Sequence, residues 1–205
     1  MVLGLGTGST AVFMVRAIGQ LLKDGRLQNN VAIPTSEATA REAEAWGIPL
    51  TTLDAHPVID LTIDGADEIT PDLCLIKGMG GALLREKITA VSSKKLIIIS
   101  DDSKLVHNLG EKTAVPVEVI PFARQPVRTY LESLGAIVTE RMAGDGSFIT
   151  DENNIILDCH FGSINDPYSL ARAIRQQPGV VEHGLFLNMA TLAVIAAFDG
   201  LLLLE

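Results

Sequence analysis

Several ionisable side chains stand in sequence settings where acid–base chemistry is common. Lys77 ends an apolar segment, a loop with Gly78 and Gly80 follows it, and Glu86 lies in the helical pattern beyond that loop. Moving a proton between adjacent carbons needs one base, and it needs a cation or N–H groups beside the oxygen that gains charge. Glu86 could be that base, and Lys77 with the loop N–H groups could stabilise the charge. Taken alone, Glu86 fits better as a surface acid paired with a neighbouring base.

The run Asp64-Gly65-Ala66-Asp67-Glu68 places three acids just past an apolar strand. Active sites of parallel sheets lie at the carboxyl ends of strands. Asp64 and Asp67, with Gly65 between them, could therefore bind sugar hydroxyls and move protons. They could also bind Mg²⁺, which needs only one or two carboxylates, or cap a helix beside a solvated loop. Spacing alone leaves these alternatives open.

Glycines and hydroxyls fill residues 4–10, between a predicted strand and a predicted helix. Free N–H groups at a helix start suit a phosphate, and glycines let the backbone approach it. The absence of GK[ST] excludes a Walker loop. Gly6, Gly8 and Ala11 match a dinucleotide pattern, but that pattern requires an acid at the end of the second strand. Residues 34–36 are Pro, Thr and Ser instead, so we favour a phosphate monoester over a dinucleotide.

The loop residues expected to hold this phosphate are Thr7, Gly8, Ser9 and Thr10. Lys104 follows the apolar segment 96–99 and could reach the same phosphate, although such a lysine is more often a solvated loop residue.

The four histidines lack metal-ligand spacing, so we expect no metal site. Cys74 and Cys159 are expected to be reduced thiols in the core.

The elements that must position these residues alternate between strand and helix in the first half of the chain. Apolar periodicity predicts strands at 2–5, 31–33, 60–63, 75–76 and 96–99, and helices at 10–23, 36–46 and 81–94. This alternation predicts a Rossmann-like, doubly wound parallel sheet. Ser36 is expected to cap the second helix.

The pattern changes near residue 114 to the order β-α-β-β-α-β, which is typical of a ferredoxin-like α+β fold. Its predicted strands are 117–120, 137–141, 154–159 and 180–187, and its predicted helices are 126–134 and 166–177, the latter capped by Asp166. We therefore predict an α/β protein with two domains. Residues 1–112 and 184–205 would form the Rossmann-like catalytic domain, and residues 113–183 the inserted ferredoxin-like domain.

Composition restricts the partners. Hydrophobic residues make up 47% and charged residues 20% of the chain, which predicts a packed core. The net charge of −9 disfavours binding to nucleic acid and to anionic membranes, and is compatible with an enzyme for a small anionic metabolite. No apolar run reaches the ~20 residues of a membrane helix. The first residues do not resemble a secretory signal.

Eight runs of sequence together resemble the A-type ribose-5-phosphate isomerases. One run alone would be a weak signal, but they occur jointly, in family order, over nearly the whole chain. The runs are GTGST (6–10), TSEAT (35–39), DGADEI (64–69), IKGMGGALLREK (76–87), DDSKLV (101–106), PVEVIPFA (116–123), ITDENNIILD (149–158) and PGVVEHGLF (178–186).

The resemblance implies reversible conversion of D-ribose 5-phosphate to D-ribulose 5-phosphate through a cis-enediolate, without a metal or an organic cofactor. It makes Glu86 the base that carries the proton between C1 and C2, and it places Lys77 beside the reacting oxygens. Asp64 and Asp67 would assist ring opening and contact the sugar hydroxyls. The residues expected to hold the substrate, chiefly its phosphate, are Thr7, Gly8, Ser9, Thr10 and Lys104.

The same resemblance implies a homodimer or homotetramer in the cytoplasm, or in a plastid if a leader precedes Met1. Met79 replaces the glycine that the family usually has after Gly78, and we expect this methionine to crowd the loop.

Two other functions compete with the isomerase. A non-enzymatic sugar-phosphate sensor predicts a DNA-binding module, but neither a basic stripe nor a helix-turn-helix pattern is visible. An NAD-dependent dehydrogenase would require an acid at the end of the second strand, and the sequence has none there.

Overall fold

The computed structural model describes residues 1–205 and contains five α-helices and fifteen β-strands. The helices are α1 (Ala11–Lys23), α2 (Glu37–Ala45), α3 (Leu83–Val91), α4 (Arg124–Ser133) and α5 (Pro167–Gln176). The strands are β1 (Val2–Leu5), β2 (Val31–Pro34), β3 (Leu61–Asp64), β4 (Glu68–Ile69), β5 (Leu75–Ile76), β6 (Leu96–Asp101), β7 (Val115–Val119), β8 (Ile137–Glu140), β9 (Met142–Ala143), β10 (Gly146–Ser147), β11 (Ile155–His160), β12 (Val180–His183), β13 (Leu185–Phe186), β14 (Leu192–Ala197) and β15 (Gly200–Leu204). No helix has both the length and the apolar character needed to cross a membrane.

The chain divides into two compact units. The first unit consists of Met1–Ala66, Arg85–Ser103 and Met189–Glu205. The second unit consists of Asp67–Leu84 and Lys104–Asn188. The predicted ferredoxin-like segment, 113–183, falls entirely inside the second unit, while its boundaries as a domain stay a prediction.

Six strands form the sheet of the first unit, in the order β15-β14-β6-β3-β1-β2. All neighbouring pairs are parallel except β14 with β15. β6 lies between β3 and β14, and its Leu96 and Ile98 side chains are fully buried, as expected for a strand inside a parallel sheet. The predicted α/β class is confirmed. Strands β14 and β15 were not predicted.

Helices α1 and α2 pack on each other because a glycine allows close approach. A Cβ at Gly19 would lie 2.6 Å from the Cβ of Trp46, which no real contact allows. Val15 and Ile18 of α1 are buried in the same core as strand β1. The predicted cap of α2 is confirmed, since the Ser36 hydroxyl accepts the N–H of Thr39 at 3.0 Å.

The second unit contains a four-stranded antiparallel sheet in the order β12-β7-β11-β8. Its elements follow one another as β7, α4, β8, β11, α5 and β12, with the small hairpin β9–β10 between β8 and β11. This is the predicted β-α-β-β-α-β order. Asp166 caps α5 as predicted, because its carboxylate accepts the N–H of Ser169 at 3.0 Å.

Strand β5 corrects one prediction about the sheets. Residues 75–76 were expected to extend the parallel sheet, but β5 instead lies between β4 and β13 in a separate antiparallel sheet. The turn from β4 to β5 is short and is made by Leu73 with φ of 61°. Strands joined by so short a turn can pair only antiparallel, since a parallel pair needs a long crossover.

Both cysteines are buried and free, which confirms the predicted core thiols. Burial raises the pKa of Cys74, and it raises the pKa of Cys159 further. Both thiols therefore stay protonated at neutral pH and are poor nucleophiles.

Glu118 of β7 is a buried acid that makes the stability of the second unit depend on pH. Its Oε1 accepts hydrogen bonds from Thr150 and Asn154, both at 2.9 Å, while its Oε2 has no hydrogen-bond partner. Burial raises the pKa of this carboxyl, and the two hydrogen bonds offset only part of that effect. The protonated form is therefore favoured by folding.

We expect the free energy of unfolding to carry a term from Glu118 that is complete below the carboxyl's unfolded pKa of about 4.3 and is lost as pH rises through its raised folded pKa. Glu118→Gln removes the titration, so its unfolding free energy should fall less between pH 4 and pH 8. Denaturant unfolding at several pH values measures this. The control is Glu132→Gln on α4, whose carboxyl is exposed. Equal pH slopes for Glu118→Gln and the unmodified chain would contradict the assignment.

Candidate active site

The loop between β1 and α1 presents backbone N–H groups to solvent. Gly8 and Ser9 are exposed, and Gly8 has φ of 120°, which favours glycine. The N–H groups of Gly8, Ser9 and Thr10 have no acceptor within the chain. The Gly8 carbonyl accepts the N–H of Val12 at 3.1 Å, so α1 begins directly from this loop. Free N–H groups that open a helix are a favourable place for a phosphate.

Thr7 has a different position from the other three loop residues predicted to hold phosphate. Its hydroxyl lies 2.7 Å from that of Thr35, 2.8 Å from that of Ser36 and 3.0 Å from that of Thr39. The other three hydroxyls belong to buried residues. The Thr7 side chain therefore fixes the loop to the end of β2 and the start of α2. Thr35 and Ser36, which stand where a dinucleotide site would need an acid, supply two of these contacts.

Asp64 ends β3 and is buried, with 1% of its surface exposed. Its Oδ1 accepts the N–H of Thr7 at 3.1 Å and the N–H of Gly65 at 2.8 Å. A Cβ at Gly6 would lie 2.1 Å from the same oxygen, so only glycine allows this approach. The structure thus places Thr7 of the first glycine loop next to Asp64 and Gly65 of the acidic run, and Asp64 helps to position that loop.

Glu86 lies in the first turn of α3 and is only 5% exposed. The sequence pattern alone favoured a surface acid at this position, and that interpretation is wrong. The start of a helix favours a negative charge. Burying a carboxyl is nevertheless costly, and such groups concentrate at functional sites.

Lys77 directly follows β5 and is 2% exposed, which makes it one of the largest fully buried side chains. Its Nζ lies 5.4 Å from the centroid of the Phe186 ring, within range of a cation–π interaction. Its backbone N–H donates to the Gly184 carbonyl at 2.9 Å. A Cβ at Gly184 would lie 2.3 Å from the Lys77 carbonyl oxygen, so this glycine is needed for the backbone of Lys77 to sit here.

The glycine loop after Lys77 is held from one side by Asp67. Oδ2 of Asp67 accepts the N–H of Met79 at 3.0 Å. Gly78, with φ of 105°, lies close to Leu83 and leaves no room for a side chain. Met79 does not crowd the loop, because its side chain points outward and is 42% exposed. The N–H of Gly80 has no acceptor within the chain.

Glu68, the third acid of the run, anchors the backbone of another loop. It is fully buried, and its carboxylate accepts the N–H groups of Gly110, Lys112 and Thr113, each at 2.6 Å. Charge-assisted bonds of this kind are among the stronger ones in proteins. The three acids therefore have three different environments, and the alternative of a solvated loop does not hold for Glu68.

Lys104 ends the short 3-10 turn 102–104 that follows β6. It is half-buried and forms no hydrogen bond or ion pair within the chain. A cation without a carboxylate partner is suited to an external anion, such as a phosphate.

Arg141, which the sequence did not indicate, also contacts the glycine loop. Its Nη1 donates to the carbonyls of Gly78 and Met79 at 2.8 and 2.9 Å. The partners lie more than sixty positions apart in the chain. No local pattern could have revealed this contact.

Comparison with known proteins gives a consistent result. The family model described as ribose 5-phosphate isomerase A (phosphoriboisomerase A) matches residues 31–200. A protein of Roseiflexus castenholzii named ribose-5-phosphate isomerase A is 56% identical, over 100% of this chain and 88% of the relative. A protein of Arabidopsis thaliana named probable ribose-5-phosphate isomerase 2 is 51% identical, over 98% of this chain and 78% of the relative.

Solved structures agree with the sequence relatives. Ribose 5-phosphate isomerase from Plasmodium falciparum has a TM-score of 0.97 and 45% identity, with 100% of this chain and 90% of that chain covered. A D-ribose-5-phosphate isomerase in complex with phospho-erythronic acid has a TM-score of 0.98 and 39% identity, with the same two shares of 100% and 90%.

Proposed function

Since this chain belongs to the ribose 5-phosphate isomerase A family, we propose that it interconverts D-ribose 5-phosphate and D-ribulose 5-phosphate through an enediolate. The reaction moves the C2 proton of the open-chain aldose to C1 and the hydroxyl proton on O2 to O1, so the carbonyl shifts from C1 to C2 and no electrons are gained or lost overall. It requires a base at carbon and a group that stabilises the negative oxygen. A sugar-phosphate sensor is not favoured, because the similar proteins are named isomerases.

Glu86 is the base of this proposal. Its carboxylate takes the proton from C2 and returns it to C1, so a single group serves both carbons. The observation that carries the assignment is the burial of Glu86, which is 5% exposed in the first turn of α3 although it is charged in water. Keeping a base away from bulk water prevents its proton from being lost to solvent between the two transfers.

Lys77 supplies the positive charge in this proposal. Its ammonium, buried against the Phe186 ring, stabilises the oxygen that becomes negative as the proton leaves carbon. A charge acts more strongly where water is excluded, because the effective dielectric constant is lower. The unbonded N–H of Gly80 is a second donor for the reacting oxygens.

The remaining residues hold and open the sugar. Oδ2 of Asp67 is bound to the loop, which leaves Oδ1 of this half-buried side chain to accept a sugar hydroxyl. Asp64 assists ring opening. The N–H groups of Gly8, Ser9 and Thr10 bind the phosphate, and the Lys104 ammonium balances its charge.

Lys104→Ala should raise the KM for D-ribose 5-phosphate about 10- to 100-fold with little change in kcat, because a charge-assisted hydrogen bond worth roughly 1.5–3 kcal/mol is lost. The inhibition constant of inorganic phosphate should rise by a similar factor. Steady-state kinetics with phosphate as a competitor measures both effects. Lys95→Ala is the control, since Lys95 is an exposed lysine just before β6. Unchanged KM and phosphate inhibition would rule out the phosphate role of Lys104.

We further propose a homodimer or homotetramer located in the cytoplasm, or in a plastid if a leader precedes Met1. The support is the family resemblance. Sedimentation equilibrium of the purified chain tests the assembly: a mass of two or four chains is expected, and a monomer at micromolar concentration would contradict it.

A further inference from the structure

Arg141 lies between β8 and β9 and reaches the glycine loop with a guanidinium group that uses most of its donors. Nη1 donates to the carbonyls of Gly78 and Met79, while Nε donates to Asp158 at 3.0 Å and Nη2 pairs with the other oxygen of the same carboxylate. Side-chain exposure is 11% for Arg141 and 15% for Asp158. The ion pair is therefore largely buried. One edge of the guanidinium binds the Asp158 carboxylate, and Nη1 donates to the glycine loop.

The backbone that carries Arg141 is also fixed. Its N–H donates to the Ile156 carbonyl at 2.9 Å, and its carbonyl accepts the N–H of Phe148 at 2.8 Å. The Phe148 ring packs against Gly81, where an added Cβ would lie 2.3 Å from a ring carbon. The hairpin of residues 141–148 thus touches the glycine loop at both of its ends.

These contacts determine where the N–H groups of the loop point. In a planar trans peptide, the carbonyl of one residue and the N–H of the next point in opposite directions. The Gly78 carbonyl binds Arg141, and the N–H of the same peptide group, on Met79, binds Asp67. The Met79 carbonyl also binds Arg141, but the N–H of that peptide group, on Gly80, has no acceptor within the chain.

We propose that Arg141 is a positioning residue that turns the N–H of Gly80 toward the reacting oxygens of the substrate. The inference rests on the isomerase function proposed above and deepens it. Asp158 holds the guanidinium, Arg141 holds the Met79 carbonyl, and the opposite end of that peptide group donates to the enediolate. A lysine at this position cannot make the same contacts, because a single ammonium cannot donate two hydrogen bonds to a carboxylate and also bind two carbonyls.

The test compares Arg141→Lys with the unmodified enzyme. We expect kcat to fall about 10- to 100-fold, as for other residues that orient groups in contact with substrate, while KM changes by less than about threefold. Phospho-erythronic acid carries a carboxylate that resembles the charged enediolate, so its inhibition constant should rise about tenfold or more. The inhibition constant of inorganic phosphate, which reports the phosphate loop, should not change.

Two further variants complete the experiment. Asp158→Asn removes the carboxylate that orients the guanidinium and should reproduce the pattern of Arg141→Lys. Arg124→Lys is the matched control, because Arg124 binds Ser147 of the same hairpin but no atom of the glycine loop, and it should behave like the unmodified chain. Parallel loss of inhibition by phosphate and by phospho-erythronic acid, or a lower melting temperature with unchanged kcat, would overturn the positioning role.

An NMR readout separates this inference from the proposed function. The amide signal of Gly80 should shift when phospho-erythronic acid is added to the unmodified chain, and it should shift much less in Arg141→Lys. An unmodified chain that lacks isomerase activity would refute the function. An active chain whose Gly80 amide responds equally in both forms would refute the role of Arg141 and leave the function standing.

Discussion

Glu86→Gln should lower kcat by about 10²- to 10⁴-fold, which corresponds to roughly 3–5 kcal/mol of transition-state stabilisation. The amide has nearly the same shape as the carboxyl, but it cannot accept the proton from C2. KM should change little, and the variant should keep the fold, because the amide can still form hydrogen bonds at the same position. Glu86→Asp keeps the carboxylate but withdraws it by one methylene, so its kcat should be intermediate.

A second measurement identifies the step at which Glu86 acts. The base that removes the C2 proton also exchanges it with solvent, so deuterium uptake from D₂O by the sugar should fall together with isomerisation in Glu86→Gln. Glu44→Gln, at an exposed carboxyl on α2, is the control and should have normal kinetics. Turnover within about threefold of normal in Glu86→Gln would mean that another group is the base. Retained deuterium uptake would place Glu86 at a different step.

Lys77→Met should lower kcat by about 10²- to 10³-fold, the usual cost of removing one group that stabilises a developing oxyanion. Methionine is apolar, unbranched and of similar length, so it fits the buried site beside Phe186 without leaving a cavity. A variant that remains folded at the assay temperature while its kcat falls this far distinguishes a catalytic from a structural lysine.

The control for this variant is Lys95→Met, at an exposed lysine just before β6. A raised KM with normal kcat in Lys77→Met would show that the ammonium binds substrate and transition state equally. Normal kcat together with a large loss of stability would show that Lys77 only supports the packing around Phe186.

Local signals predicted much of the fold. Ser36 and Asp166 were recognisable as caps because a short polar side chain before an apolar, periodic segment satisfies the free N–H groups of a helix start. The continuous apolar segment at 96–99 was recognisable as an inner strand of a parallel sheet because it lacks polar alternation. Each of these inferences depends on residues only a few positions apart.

The elements that were missed depend on distant partners. β14 pairs with β6, 95 residues earlier in the chain, and its apolar segment shows no period that separates strand from helix. The hairpin β9–β10 is only two residues long on each strand, although Gly144-Asp145-Gly146 is a turn signal that could have located it. β5 was recognised as a strand but assigned to the wrong sheet, because a two-residue ladder carries no information about its partner.

The site shows the same division. The glycine loops and the acids indicated the candidate site residues in the sequence, but the surroundings of these residues could not be predicted. Thr7 was expected to bind phosphate, yet its hydroxyl is engaged by three others, all contributed by residues 35–39. Glu68 was grouped with Asp64 and Asp67, yet only tertiary structure brings it three backbone N–H groups. Arg141 had no signal at all, because its partners lie in another segment.

The most direct test of the central claim is an isomerase assay on the purified chain with D-ribose 5-phosphate in the presence of EDTA. We expect D-ribulose 5-phosphate to accumulate to equilibrium, and EDTA to have no effect, since Lys77 and the N–H groups stabilise the enediolate in this account. A folded chain that binds inorganic phosphate but forms no ribulose 5-phosphate, with or without EDTA, would contradict the claim and favour a sugar-phosphate sensor. Activity that disappears with EDTA would contradict the roles given to Lys77 and Gly80.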